Sequence, residues 1–203
     1  MREQLFGIGL ALSLVSLVLA GFTWLPCRAE NHPVKTVSSV DLQRYMGKWY
    51  EIAAIPMFFE RKCVGNATAN YALLPDGLVK VTNSCDVANG KRMMAEGRGK
   101  VMDPKTNAKL KVTFLHLLGW RWFAGGDYWI TGLDPEYSYA IIGHPKRKYG
   151  WILSRTPMLS KETLQQLSKQ LEEQGYDPCD FDMTVQKAGL DTRQPLCKVV
   201  AGI

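Results

Sequence analysis

Gly47-Lys48-Trp49-Tyr50-Glu51-Ile52-Ala53 and Trp151-Ile152-Leu153-Ser154-Arg155-Thr156-Pro157 decide how this chain folds. The first stretch sets a tryptophan at the start of a strand, and the second sets an arginine at the end of one. Between them lie short strand-like runs separated by turn signals. A flat guanidinium stacks well on an indole face. Such a contact ties the first strand of a closed sheet to the last.

Working outward, residues 66–74 alternate, with Ala67, Ala69, Tyr71 and Leu73 on one face and Thr68, Asn70 and Ala72 on the other. Pro75-Asp76-Gly77 is a tight turn and residues 78–85 alternate again, so the pair reads as a hairpin. Residues 93–102 form a weaker strand, loosened by Gly97 and Gly99, and 109–115 form one with Leu110, Val112 and Phe114 on one parity. Residues 49–55, 128–133, 137–142 and 149–154 bring the set to eight strands. No strand alternates with a helix, which excludes a doubly wound sheet. The pattern predicts an all-β fold, an eight-stranded antiparallel up-and-down barrel, because closure removes exposed sheet edges. Asp41 caps a single helical turn within residues 40–46. One longer helix follows the last strand: Ser160 is its N-cap, Leu164, Leu167 and Leu171 share a face, and Gly175 ends it. That amphipathic C-terminal helix packs outside the barrel. Residues 183–186 read as a short extra strand, followed by a tail around Cys197.

The chain has 203 residues and a net charge of +6, with one tight basic cluster at Lys146-Arg147-Lys148. No arginine-rich stripe or recognition motif points to nucleic acid. At the N-terminus, Arg2 precedes an apolar run over residues 5–19, and Cys27-Arg28-Ala29 ends in a small residue. Residues 1–29 read as a secretory signal peptide and 30–203 as the mature domain. Cleavage near Ala20, an uncleaved anchor and lipidation of Cys27 are the alternatives. Pro26 stands where a lipidated cysteine usually has a small residue. An exported chain is expected in the periplasm or at the outer membrane of a bacterium, and otherwise outside the cell or in an organelle lumen. The four remaining cysteines, Cys63, Cys85, Cys179 and Cys197, then form two disulfides.

Gly47-x-Trp49, Leu133-Asp134 followed by Tyr137, and Arg155 together resemble the lipocalin signature, over residues 40–185. The second motif departs from the usual Thr-Asp-Tyr: the threonine is replaced and Pro135-Glu136 is inserted. The run from Phe59 to Gly65, with Trp151 to Pro157, moves the resemblance toward the bacterial lipocalin group. The resemblance implies that Gly47, Trp49 and Arg155 close one end of the barrel and are structural. The turns at 75–77, 103–107 and 134–136 then share that closed end. The loops at 58–65, 86–92, 115–126 and 144–148 surround an open mouth. This arrangement favours Cys63–Cys85 and Cys179–Cys197, with Cys63–Cys197 the alternative.

One parity of each strand should line the interior: Ala69, Tyr71, Val112, Phe114, Trp129, Tyr139, Ile141, Trp151 and Leu153 are the candidate ligand contacts, apolar with a few hydroxyl tips. The mouth loop carries Trp120, Arg121, Trp122 and Phe123, and Lys146, Arg147 and Lys148 lie in the neighbouring loop. Aromatic groups beside cations suit a membrane surface; the alternative is that the same aromatics fold over the mouth as a lid or simply extend the two strands. No catalytic motif, cofactor site or metal-ligand spacing is present. Glu51 is a lone carboxylate, and His116 and His144 read as solvated loop residues, the alternative being that they approach each other and bind heme or a metal. The expected function is binding of a hydrophobic small molecule, a fatty acid or lysophospholipid, for lipid transport, storage or membrane maintenance under stress. A lipocalin-fold enzyme acting on oxidised lipid or an isoprenoid, and an interaction protein with a filled barrel, are the rivals.

Overall fold

The computed structural model describes residues 32–202. The N-terminal segment, with the expected cleavage site and Cys27, lies outside the described residues. Eight antiparallel strands run β1 (Gly47–Ala54), β2 (Cys63–Leu73), β3 (Val79–Val87), β4 (Arg92–Val101), β5 (Lys109–Thr113), β6 (Gly126–Leu133), β7 (Tyr139–Gly143) and β8 (Trp151–Ser154). Each pairs with the next, and β1 pairs with both β8 and β2, which closes the barrel. A short α1 (Leu42–Tyr45) precedes β1, and α2 (Lys161–Glu173) follows β8. The chain then adds a two-residue β9 (Asp182–Met183), shorter than the sequence pattern suggests, and a helix α3 (Leu196–Ala201), where only a tail was expected.

The closed end is built from backbone acceptors gathered around one guanidinium. The Arg155 guanidinium lies 3.8 Å above the Trp49 ring. Its Nη1 donates to the carbonyl of Lys48 (2.8 Å), and its Nη2 to those of Arg44 (2.7 Å) and Met46 (2.9 Å). Trp49 is fully buried, and its Nε1 donates to the carbonyl of Tyr45 at 2.9 Å. Gly47 has φ +93°, and a Cβ there would stand 3.4 Å from Nη1 of Arg155. Both facts favour glycine. Asp41 caps α1 through Oδ1, which accepts from the amides of Gln43 and Arg44. The Val40 amide donates to Thr106 and Arg44 Nη2 to Pro135, tying the plug to two of the closed-end turns.

Two apolar clusters result. Inside the barrel, Trp49, Ile130, Ala140, Ile142 and Leu153 pack with Ala69 and Tyr71. Outside it, Ile52, Ile141 and Ile152 meet Leu164, Leu167 and Leu171 of α2, with Phe181 and Leu196. Alternation along each strand separates the two sets. Ser160 caps α2 by accepting from the Thr163 amide. The disulfides are Cys63–Cys85, joining β2 to β3 at the mouth, and Cys179–Cys197, joining the turn Pro178–Asp180 to α3.

The barrel seam is filled by the C-terminal segment. β1 and β2 pair only over residues 47–50 and 68–71 and diverge toward the mouth. Residues 182–187 occupy the gap. The Thr184 amide donates to Ile52, the Asn66 amide to Val185, and Gln186 Nε2 bridges the carbonyls of Glu51 (2.8 Å) and Ala67 (2.9 Å).

Replacing Trp49 by alanine removes the surface on which Arg155 stacks and leaves a cavity in the closed end. Trp49→Ala is expected to lower the unfolding free energy by about 3–5 kcal/mol, as measured by denaturant titration. An unchanged midpoint would contradict this role.

Candidate functional site

The barrel is a cup whose lower half is packed, with a space of about 20 Å³ among Tyr45, Tyr71, Leu110 and Tyr128, and whose inward-facing positions nearer the mouth keep solvent contact. Trp49, Ile130, Ala140 and Ile142 fill the floor without solvent contact. Above the plug, the hydroxyls of Tyr45 and Tyr71 each lie within hydrogen-bond distance of Tyr128 Oη (2.7 and 3.1 Å). Burial pushes the Tyr71 phenol up to about 12, and Tyr45 and Tyr128 upward too, so all three stay protonated. Higher on the wall, Ala95 is exposed and Trp151 half-buried, although both lie on inward-facing positions. The small residues Ala69, Ala95, Gly97 and Gly99 line the β2–β4 side. The buried Oδ1 of Asn83, paired in register with Ala69 and Ala95, accepts no hydrogen bond.

Of the nine wall residues read from the sequence, Ala69, Tyr71, Val112, Trp151 and Leu153 belong to the interior cluster. Phe114 lies beyond the end of β5, at the rim, with its ring against Gly97 and much of its surface exposed. Trp129, Tyr139 and Ile141 are corrections, because all three face outward. On β6 the inward residues are Tyr128 and Ile130, and the outer face of Trp129 is covered by the Lys109 ammonium at 4.6 Å. On β7 the inward residues are Ala140 and Ile142, whereas Ile141 and Tyr139 pack in the outer cluster with α2. β7 is apolar on both faces because its outer side packs against the helix, and β6 carries aromatic residues, Tyr128 and Trp129, on both faces. Alternation of polarity therefore could not reveal the parity.

A cavity of about 90 Å³ lies in the upper seam. It is lined by Glu51 and Ala54 of β1, Met57, Glu60 and Arg61 of the following turn, Gly65 and Ala67 of β2, and Asp182, Thr184 and Arg193 of the C-terminal segment. Glu51 Oε1 accepts from Thr184 Oγ1 at 2.6 Å, and Glu60 Oε1 accepts from Trp151 Nε1 at 3.3 Å. Burial raises the pKa of both carboxyls. For Glu60 the neighbouring Glu51 adds to the effect and the value reaches about 8. Glu51 stands two residues after Trp49 on β1, so the strand period alone places it inward. Glu60, Thr184 and Arg193 carried no sequence signal, because loop and tail geometry bring them there.

The mouth loops differ from expectation in two places. Trp120 does not project from the mouth. It lies against the outer wall, with the Arg98 guanidinium 4.7 Å from its ring and His116 beside it. Arg147 turns away toward α2, and its Nε donates to the Gln174 carbonyl at the helix C-terminus. Arg121 and Trp122 are half-buried, and Lys146 and Lys148 are exposed. The large apolar groups that do project are Leu118 (95 % exposed) and Phe123 (85 %), with Leu117, Phe58 and Phe59. His144 packs on Tyr149 and is not joined to His116. Among the described residues no cluster of potential metal ligands occurs.

A closed eight-stranded cup with an outer helix and a Gly-x-Trp/Arg clamp at its floor defines a small-molecule-binding barrel. This chain belongs to the lipocalin family: residues 40–186 match the lipocalin-like domain. It is 41 % identical to temperature-induced lipocalin-1 of Arabidopsis thaliana, over 77 % of this chain and 85 % of that one. It is 36 % identical to the outer membrane lipoprotein Blc of Escherichia coli K12, over 88 % and 98 %. Apolipoprotein D of Rattus norvegicus is 35 % identical, over 68 % and 71 %. Among solved structures, insecticyanin of the tobacco hornworm Manduca sexta superposes with a TM-score of 0.61 at 24 % identity, covering 77 % of this chain and 86 % of that one, a likeness of fold.

The Glu60 carboxyl gives the fold a pH dependence of defined sign. Its pKa in the folded protein, about 8, lies above its ordinary 4.5. The folded state therefore binds the proton more tightly, and that stabilisation is lost as pH rises through the interval between the two values. Wild type is expected to lose melting temperature between about pH 5 and pH 9 relative to Glu60→Gln. Parallel melting curves for the two proteins would contradict this.

Proposed function

We propose that this protein is an exported carrier that holds the chain of a single-chain lipid, of the fatty acid or lysophospholipid type, in the upper half of its barrel. The observation that carries this reading is the open cup itself: inward-facing Ala95 and Trp151 retain solvent-accessible surface above a floor of fully buried side chains. An acyl chain placed there would exchange water for apolar wall, at roughly 25 cal/mol per Å² of apolar surface removed from water. Two disulfides suit an oxidising compartment. The relatives with printed names of outer membrane lipoprotein and apolipoprotein support a lipid-related role in or near an envelope.

The mouth would meet a membrane directly. Phe58, Phe59, Leu117, Leu118 and Phe123 project from its loops, Arg61 and Lys62 are exposed beside Phe58 and Phe59, and Lys146 and Lys148 are exposed in the loop between β7 and β8. Apolar side chains that enter the interface, flanked by cations that meet phosphates, favour docking with the cup facing the bilayer. Transfer of lipid between membrane and barrel, for transport or membrane maintenance, follows from that orientation. The seam carboxyls Glu51 and Glu60 supply the buried polar pair that a lipid-modifying barrel would need. Recovery of bound lipid chemically altered after incubation would favour that second reading.

Two outcomes are expected. Native mass spectrometry of the protein purified from its own compartment should show one lipid per chain, and an apo protein that takes up no amphiphile on titration would remove the carrier function. Leu118→Ser with Phe123→Ser should reduce co-sedimentation with anionic liposomes several-fold, by removing apolar surface of about 2–3 kcal/mol per large side chain when fully buried. Undiminished co-sedimentation would count against docking through this edge.

A further inference from the structure

Groups of both signs face the seam cavity, three carboxyls and two guanidiniums. The charged groups facing it are Glu51 from β1, Glu60 and Arg61 from the turn after β1, and Asp182 and Arg193 from the C-terminal segment. Each of the two half-buried carboxyls, Glu51 and Glu60, accepts a single hydrogen bond, from Thr184 and Trp151 respectively, although a carboxylate has room for several. Among the described residues neither makes an ion pair within 4.0 Å. The Oδ1 of Asn83, on the interior wall, is a further buried acceptor with no donor. The cavity of about 90 Å³ is several times the roughly 10–15 Å³ that one water needs on the same measure, room for a small polar head group. Trp151, which donates to Glu60, also belongs to the interior cluster, so the cavity adjoins the wall along which a chain would run.

We propose that the cavity between Glu51 and Glu60 is the head-group site of a single-chain amphiphile that carries an ammonium group. This rests on the carrier reading and narrows its ligand. An alkylammonium has only donors and a positive charge, which complements two carboxyls that each have room for further hydrogen bonds. A free fatty acid would bring a further carboxylate against Glu51, Glu60 and Asp182, and like charges gathered in one site oppose binding. The apo cavity lowers its own charge by holding a proton on Glu60, whose carboxyl burial and Glu51 push up to about 8. The entering cation takes the place of that proton, which leaves to solvent: one positive charge in, one proton out. Binding therefore strengthens as pH rises toward the Glu60 value and levels off above it.

The test uses the disulfide-bonded protein stripped of lipid and three probes of one chain length: dodecylammonium, dodecanol and dodecanoate. Each is titrated below its micelle concentration while tryptophan fluorescence is followed. In wild type, dodecylammonium is expected to bind at least about tenfold more tightly than dodecanol, with dodecanoate weakest. Calorimetry near neutral pH in two buffers of different ionisation enthalpy should show close to one proton released per ammonium bound. Glu60→Gln and Glu51→Gln should each bring the ammonium-to-alcohol ratio toward one, whereas Glu172→Gln, on α2, should not change it. Lysophosphatidylethanolamine with the same acyl length separates two sources of the ammonium. Binding as tight as the free amine assigns a phosphate-linked head, and weaker binding assigns a long-chain amine. Dodecanoate binding as tightly as dodecylammonium in wild type overturns the proposal without any variant, and so does an unchanged ratio in Glu60→Gln. If dodecanol binds without ammonium preference, the head-group site alone is lost. If none of the probes binds, the carrier reading is lost with it.

Discussion

The stacking of Arg155 on Trp49 is the constraint on which the remainder of the barrel depends. One guanidinium, 3.8 Å above the indole, collects three carbonyls from α1 and the start of β1. A sheet closes only if its last strand finds its first, and these two side chains sit at the end of β8 and the start of β1. The cation is held by a ring face and backbone dipoles. This arrangement satisfies a partly desolvated charge without burying a carboxylate beside it.

Closing the floor so firmly leaves the opposite end free to open. β1 and β2 remain paired next to the clamp and separate toward the mouth, and the C-terminal segment fills the gap they leave. Gln186 bridges both strands with a single side-chain amide. The wall of the seam is therefore partly side chain and loop instead of continuous ladder. That is where polar groups could be introduced without breaking the barrel. Glu51, Glu60 and Thr184 meet there. The Cys179–Cys197 disulfide lies just beyond this segment on both sides in sequence, and by shortening the free chain it limits the states the seam filler can explore when unbound.

Helix α2 gives the barrel two unlike exteriors. Beneath it, the outward residues of β7, β8 and β1 are as apolar as the inward ones, so Ile141 and Ile152 belong to one core and Ile142 and Leu153 to another. On the far side, β3 and β4 show water a polar face, where Lys80, Glu96 and Arg98 pair with one another. Exposed pairs of that kind contribute little to stability, but they mark the outer face. The apolar loops around the mouth then stand out as the surface that neither core explains.

Much was legible in the amino-acid order. Turn residues and period-two alternation determined eight strands and their connections. Gly47, Trp49 and Arg155 determined which end closes, and that placed Cys63 beside Cys85. Parity was readable wherever one face is solvated, as at Ala69 and Tyr71. It failed at Trp129, Tyr139 and Ile141, because strands that are apolar or aromatic on both faces carry no alternation to read. Only the tertiary structure decided the polar site. Glu60 reaches Trp151 across 91 positions and Thr184 reaches Glu51 across 133. Local propensity encodes no such distances: they depend on how a turn folds over the mouth and how a tail enters the seam. The same holds for Trp120 and Arg147, whose side chains were claimed by Arg98 and by the end of α2. The sequence determined the frame because backbone pairing and burial are periodic. The chemistry inside the frame came from contacts between distant segments, which have no period.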